Sequence, residues 1–214
     1  MRVRARSASA VVVFLAVCCM LPGCAVRNKL AIDGAGSFAA TPSGPSAVLR
    51  VTVPPAKEPR SKDILWGSVN TLEADSQFAE LVAYAAAKDG KIAAPRVFEV
   101  HDRLEKAGLE PTLQPTPEEL RRYVETLGCS SYLTADLKRW HYGYLLFFGS
   151  ADIEYHLACH RADNDEIVWE ANVLRQACGM SDRDVARLAL RETFQWLIER
   201  DRIGASASPP AEPQ

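Results

Sequence analysis

The first 24 residues constrain where the folded part of this chain can begin and in what surroundings it folds. Arg2, Arg4 and Arg6 make a cationic start, and Val11–Leu21 follows without a charge. A basic start and then a short apolar run is the layout of a secretory signal peptide. The run is shorter than the about 20 apolar residues that a permanent membrane span requires. It closes on Leu21-Pro22-Gly23-Cys24 instead of a small-x-small cleavage site. Cys18 and Cys19 lie inside the run and would leave with it.

Leucine, a small glycine and then cysteine resembles the lipobox of bacterial lipoproteins, with Pro22 standing where alanine, serine or threonine is commoner. The resemblance implies removal of residues 1–23, a lipid on the Cys24 sulfur and an acylated new amino terminus. Acyl chains contribute about 0.8 kcal/mol per buried methylene, so several of them of palmitate length hold a protein on a membrane. Ala25, where aspartate would retain a lipoprotein at the inner membrane, implies the periplasmic side of the outer membrane. The alternative is a plain signal peptide or an uncleaved anchor in which Cys24 is incidental.

With Cys24 as first residue, 191 residues remain of the 214, and the loss of three arginines from 25 basic residues leaves 22 against 27 acidic ones. A net charge near −5, without a basic tract, gives no attraction for nucleic acid. The length suits one domain with its own core. Cys129, Cys159 and Cys178 remain besides Cys24. An oxidising compartment favours one disulfide and one leftover thiol, with three pairings open.

Residues 24–45 are small and polar, with Gly34, Gly36, Pro42 and Gly44, and read as a lipidated cysteine and flexible tether. Residues 204–214 carry Pro209, Pro210 and Pro213 and read as a disordered tail. The folded domain is thus expected over 46–203. Ala47–Val53 is β-branched and stops at Pro54-Pro55, a strand. Phe78, Leu81, Val82 and Ala85 recur at helical spacing within 75–88. Arg96–Val100 reads as a second strand. Thr116-Pro117-Glu118-Glu119 offers a hydroxyl cap, proline in the first turn and a glutamate three residues on, so a helix runs from there to Leu127 and ends at Gly128. Strands follow over 131–140, 144–161 and 166–172, then a helix capped by Ser181-Asp182-Arg183-Asp184. The order β-α-β-α-β-β-β-α predicts an α+β fold: a mixed sheet with a C-terminal three-strand antiparallel meander, covered by three helices.

Leu127-Gly128-Cys129-Ser130-Ser131-Tyr132-Leu133 at a strand entry, Trp140 at that strand's end and Asp165-Glu166-Ile167-Val168-Trp169 at the next turn carry a second resemblance. Together with the element order, they are similar to the N-terminal domain of the Tol-system propeller protein and to the curli secretion lipoprotein. Within that group the chain resembles lipoproteins described as peptidoglycan-synthase or secretion accessories. The resemblance implies an accessory or adaptor of an envelope assembly for peptidoglycan synthesis, secretion or lipid transport, binding an envelope protein.

The residues offer little catalytic chemistry. There is no G-x-S-x-G elbow and no phosphate-cradling loop, so no enzyme activity and no cofactor is expected. Asp152, Glu154, His156 and His160 share one face of a strand, opposite Ile153, Tyr155, Leu157 and Cys159. Along an extended chain His156 and His160 stand about 13 Å apart, too far to share a metal. A periplasmic hydrolase or metalloprotein using that face is the alternative from another class. If the first two meander strands pair about a turn near 141–147, Cys129 and Cys159 fall at the same end, which favours a Cys129–Cys159 disulfide. Trp140, Tyr142, Tyr144, Phe147 and Phe148 crowd the same turn. They read either as a buried strand or as a partner surface, including one for a second copy in a self-associating structural lipoprotein.

Overall fold

The computed structural model describes residues 28–53, 74–145 and 148–207. The expected signal peptide and Cys24 lie outside them, as do Phe147 and the side chains of Tyr142, Tyr144 and Phe148.

The described residues form β1 (Lys29–Gly36), a 3-10 turn (Phe38–Ala40), β2 (Ser46–Thr52), α1 (Ala74–Lys88), α2 (Val97–Lys106), α3 (Pro117–Leu127), β3 (Ser131–Leu145), β4 (Phe148–Arg161), β5 (Ile167–Cys178) and α4 (Asp182–Ala207). One mixed sheet holds the strands in the order β1-β5-β4-β3-β2. The meander β3-β4-β5 is antiparallel throughout. β2 lies parallel to β3, since the helices between them carry the chain back to its starting end. The α+β class with its mixed sheet and C-terminal meander is therefore as expected.

Period-2 patterning explains why the sheet has a dry face. Leu133, Leu137, Ile153, Tyr155, Leu157, Trp169 and Val173 all point one way and are buried. Phe78, Val82 and Ala86 of α1 and Leu190, Phe194 and Leu197 of α4 close over them to make the main core. A second, smaller core lies on the other face, where Val100 and Leu104 of α2 and Tyr123 and Val124 of α3 cover Ala47, Leu49 and Tyr132. α3 begins as expected: Thr116 Oγ1 accepts from the Glu119 amide, the Glu119 carboxylate accepts from the Thr116 amide at 2.7 Å, and Gly128 ends the helix at φ 62°.

Two expectations are corrected. Arg96–Val100, expected as a strand, is the cap and first turn of α2. Val97, Val100 and Leu104 recur at helical spacing and are buried, and the second core rewards that period over an alternating one. The expected tether is the second case, because β1 pairs with β5 along its whole length, from Lys29 opposite Gln176 to Gly36 opposite Trp169. The turn behind it is clamped by α4. Asp201 accepts from Ser37 Oγ at 3.0 Å and from the Ala39 amide at 2.6 Å, and Arg200 donates to the Gly36 carbonyl at 2.6 Å. Gly34 and Gly36 sit where a Cβ would run into the carbonyls of Glu170 and Val168, and Gly36 has φ +79°. Those glycines let β1 approach β5 and are not marks of a loose linker. At the other end α4 continues to Ala207, so residues 204–207 of the expected tail are helical.

Candidate binding face

Among the described residues, α2 and α3 pack on the β2–β3 corner of their side of the sheet, and the rest of that side carries mostly polar side chains. One transverse row crosses all five strands: Thr52, Asp136, His156, Asn172 and Asp33 stand opposite one another in register. Within it Thr52 Oγ1 donates to Asp136 at 2.7 Å, and Asn172 Nδ2 donates to Asp33 at 3.0 Å. The next row holds Arg139, Glu154, Leu174 and Ala31, and beyond it come His141, Asp152, Gln176 and Lys29. The parity expected for β4 holds, with Asp152, Glu154, His156 and His160 half-buried and the intervening residues buried.

The two histidines belong to separate groups. His156 Nε2 lies 3.0 Å from Glu170 Oε2. His160 stacks on the Tyr132 ring at 4.8 Å and is held by Thr134 Oγ1 at 3.1 Å and Asp165 Oδ1 at 3.1 Å, the last also accepting from the Tyr132 hydroxyl. Each ring is engaged by its own carboxylate, and no group of three or more metal-ligating side chains occurs among the described residues. The arrangement can make hydrogen bonds and ion pairs.

Of the aromatic residues expected either as a buried strand or as a partner surface, Trp140 takes the buried alternative. Trp140 is not part of an exposed partner surface: it is 8 % exposed and packs edge-on against Phe78 at 5.8 Å. A β-bulge between Leu137 and Arg139 shifts the alternation of β3 by one residue and turns Trp140 onto the dry face, where α1 covers it. Cys129, Cys159 and Cys178 are not joined in disulfides. The expected Cys129–Cys159 bridge is absent because the sheet separates the two residues: Cys159 is in the main core and Cys129 packs against the second. Burial pushes both thiols up to about 11, so both are protonated at neutral pH and poor nucleophiles.

Sequence reasoning also missed a buried ion pair under α4. Arg175 Nε lies 3.3 Å from Glu192 Oε2, on the dry face of the sheet. The signal was present in β5, where Arg175 occupies the apolar parity shared by Val173 and Ala177. No helix among the described residues is long and apolar enough to cross a membrane.

No family model matches the chain, and no curated protein is similar to it in sequence. Its fold is similar to that of solved bacterial proteins. The PelC dodecamer from Paraburkholderia phytofirmans superposes with a TM-score of 0.53 at 12 % identity, covering 79 % of this chain and 97 % of that one. Lipoprotein GNA1162 from Neisseria meningitidis is a looser likeness, with a TM-score of 0.45 at 8 % identity over 78 % of this chain and 100 % of that one. At such identity the PelC likeness shows a shared fold and nothing of the activity.

Proposed function

We propose that this protein is a lipid-anchored accessory subunit of a cell-envelope assembly, facing the periplasm from the outer membrane and acting by protein binding, not by catalysis. The observation that carries the reading is Leu21-Pro22-Gly23-Cys24 at the end of a short apolar run. The fold adds a mechanical consequence. With β1 starting at Lys29, only Ala25–Asn28 separate the lipidated cysteine from the sheet. Four residues span at most about 14 Å, so the domain rides against the membrane instead of reaching out from it. Confinement to one plane raises its effective concentration for partners held there. The polar sheet face is the surface offered to them.

The test is a mass spectrum of the mature N-terminal peptide, together with fractionation of the Cys24→Ser chain. A peptide beginning at Cys24 with acyl mass added, and release of the variant from the membrane, are expected. An unmodified peptide that starts elsewhere would end the lipoprotein reading.

A second reading, a self-associating structural lipoprotein, draws support from the dodecameric state of the PelC structure that shares this fold. It predicts oligomers whose abundance rises with protein concentration. A chain that sediments as a monomer at high concentration counts against it.

A further inference from the structure

The two edges of the sheet are treated unequally. On the β2 edge, the Ser46 amide donates to the Ala93 carbonyl at 3.0 Å and the Val51 amide to the Leu113 carbonyl at 2.8 Å, so loops occupy it. On the β1 edge, Arg200 takes up the Gly36 carbonyl at the strand's end, and no described residue takes up the outward main-chain groups of Leu30, Ile32 and Gly34. Proteins usually blunt such an edge with proline, a bulge or a central charge. β1, Lys-Leu-Ala-Ile-Asp-Gly-Ala-Gly, pairs regularly with β5 and has none of these over Leu30–Ile32, the stretch between its two charges Lys29 and Asp33.

We propose that β1 is a self-pairing edge: two copies of this chain join β1 to β1 antiparallel, about a two-fold axis at Ala31, into one continuous sheet. The pattern of charge selects this register. With Ala31 opposite its own copy, Lys29 stands opposite Asp33 of the second copy, and Asp33 opposite its Lys29. Both are exposed, on the polar side of the sheet, and Lys29 has no ion-pair partner among the described residues. The same register sets Leu30, 41 % exposed, against Ile32 on the dry side. Sliding by two residues puts Lys29 opposite an alanine. Sliding by one brings Lys29 onto Ile32 or Asp33 onto Leu30, and flips one copy's faces. A pairing of this kind is isologous and closes, so it gives a dimer and not a fibre. It deepens the self-association reading and does not depend on the lipid.

Residues opposite each other on antiparallel strands have Cα atoms about 4.5–5.5 Å apart, within disulfide range. Ala31→Cys in the full-length chain, in membranes under mild oxidant, is therefore expected to give a reducible dimer that the unsubstituted chain does not give. Ala35→Cys is the control, because two such residues would lie about 26 Å apart in this register. Adding Asp33→Lys to Ala31→Cys should lower the dimer yield several-fold, and adding Lys29→Asp to that chain should restore it. The restoration separates cross-strand charge pairing from loss of the Asn172 contact to Asp33. The proposal is overturned if Ala31→Cys, melting as the parent does, gives no dimer, if both cysteines crosslink equally, or if Ala31→Cys captures a different protein. Failure at Ala31 while sedimentation still shows oligomers would reject this edge and leave self-association through another surface.

Discussion

Trp169 Nε1 donates to Thr41 Oγ1 at 2.9 Å, joining a fully buried indole of β5 to a residue 128 positions earlier. Phe38 packs on the same indole at 5.6 Å and on Phe194 at 6.2 Å. The segment ahead of β2 is thus an integral part of the main core. Thr41→Val keeps the shape but leaves a buried N–H unpaired, which costs about 1–3 kcal/mol. Urea unfolding should show that loss, whereas a segment acting only as a tether would show none.

The glycines of β1 allow a graded comparison. At Gly36 an added Cβ meets both an unfavourable φ of +79° and the backbone of β5, while at Gly108, φ +77°, nothing lies within 4 Å. Gly108→Ala should therefore lose only the backbone term, about 1 kcal/mol. Gly36→Ala should lose clearly more and should raise hydrogen exchange along β5. Equal melting temperatures for the two variants would show that β1 does not hold to β5 in solution.

The Cys159 thiol, pushed up to about 11 by burial, makes a signed pH prediction. In the unfolded chain a cysteine ionises near 8.5, so above that pH the unfolded state binds fewer protons than the folded one. Stability is complete below about pH 8.5 and falls as pH rises toward 11, by about 2–3 kcal/mol for this thiol. Cys159→Ala should remove that share of the alkaline fall in denaturant titrations at pH 7 and pH 10, leaving the share that Cys129 contributes.

Glu119 at the start of α3 has the opposite sign. Hydrogen bonds from the Thr116 amide and hydroxyl hold its carboxyl below the usual glutamate range. Its contribution is present above the unfolded pKa and is lost as pH falls through the folded one. Thr116→Ala removes the cap and should destabilise the protein by about 1 kcal/mol at neutral pH. The difference between variant and parent should shrink under acid, as followed by thermal melts at pH 7 and pH 3.

Legibility in the sequence tracked the range of the interaction concerned. α3 was plain because its cap, proline and terminal glycine all act within 12 residues of chain. The meander was plain because alternation along β4 is local and its turn is short. α2 reads as a strand because the β-branched Val97 and Val100 follow Pro95, and burial of Leu104 at helical spacing from them decides for the helix. β1 was missed because Gly34 and Gly36 look like linker residues until β5 is placed beside them. Leu30 and Ile32 against Lys29 and Asp33 was the faint alternation available.

The same division applies to the candidate surfaces. Trp140 has the sequence parity of Asp136 and Lys138, and only the β-bulge between Leu137 and Arg139 turns it onto the dry face beneath α1. Cys129 and Cys159 come to one end of the sheet, as pairing about the turn implies, but on opposite sides of it, which no spacing reveals. What the sequence determined by itself was the α+β class and most element boundaries, because caps and periods are written in neighbouring residues. Which segments join the sheet, which edge is uncovered among the described residues and which side of the sheet each cysteine occupies were decided by the tertiary structure alone. Those facts depend on contacts between residues more than a hundred positions apart, whose free energy exists only once the whole sheet has formed.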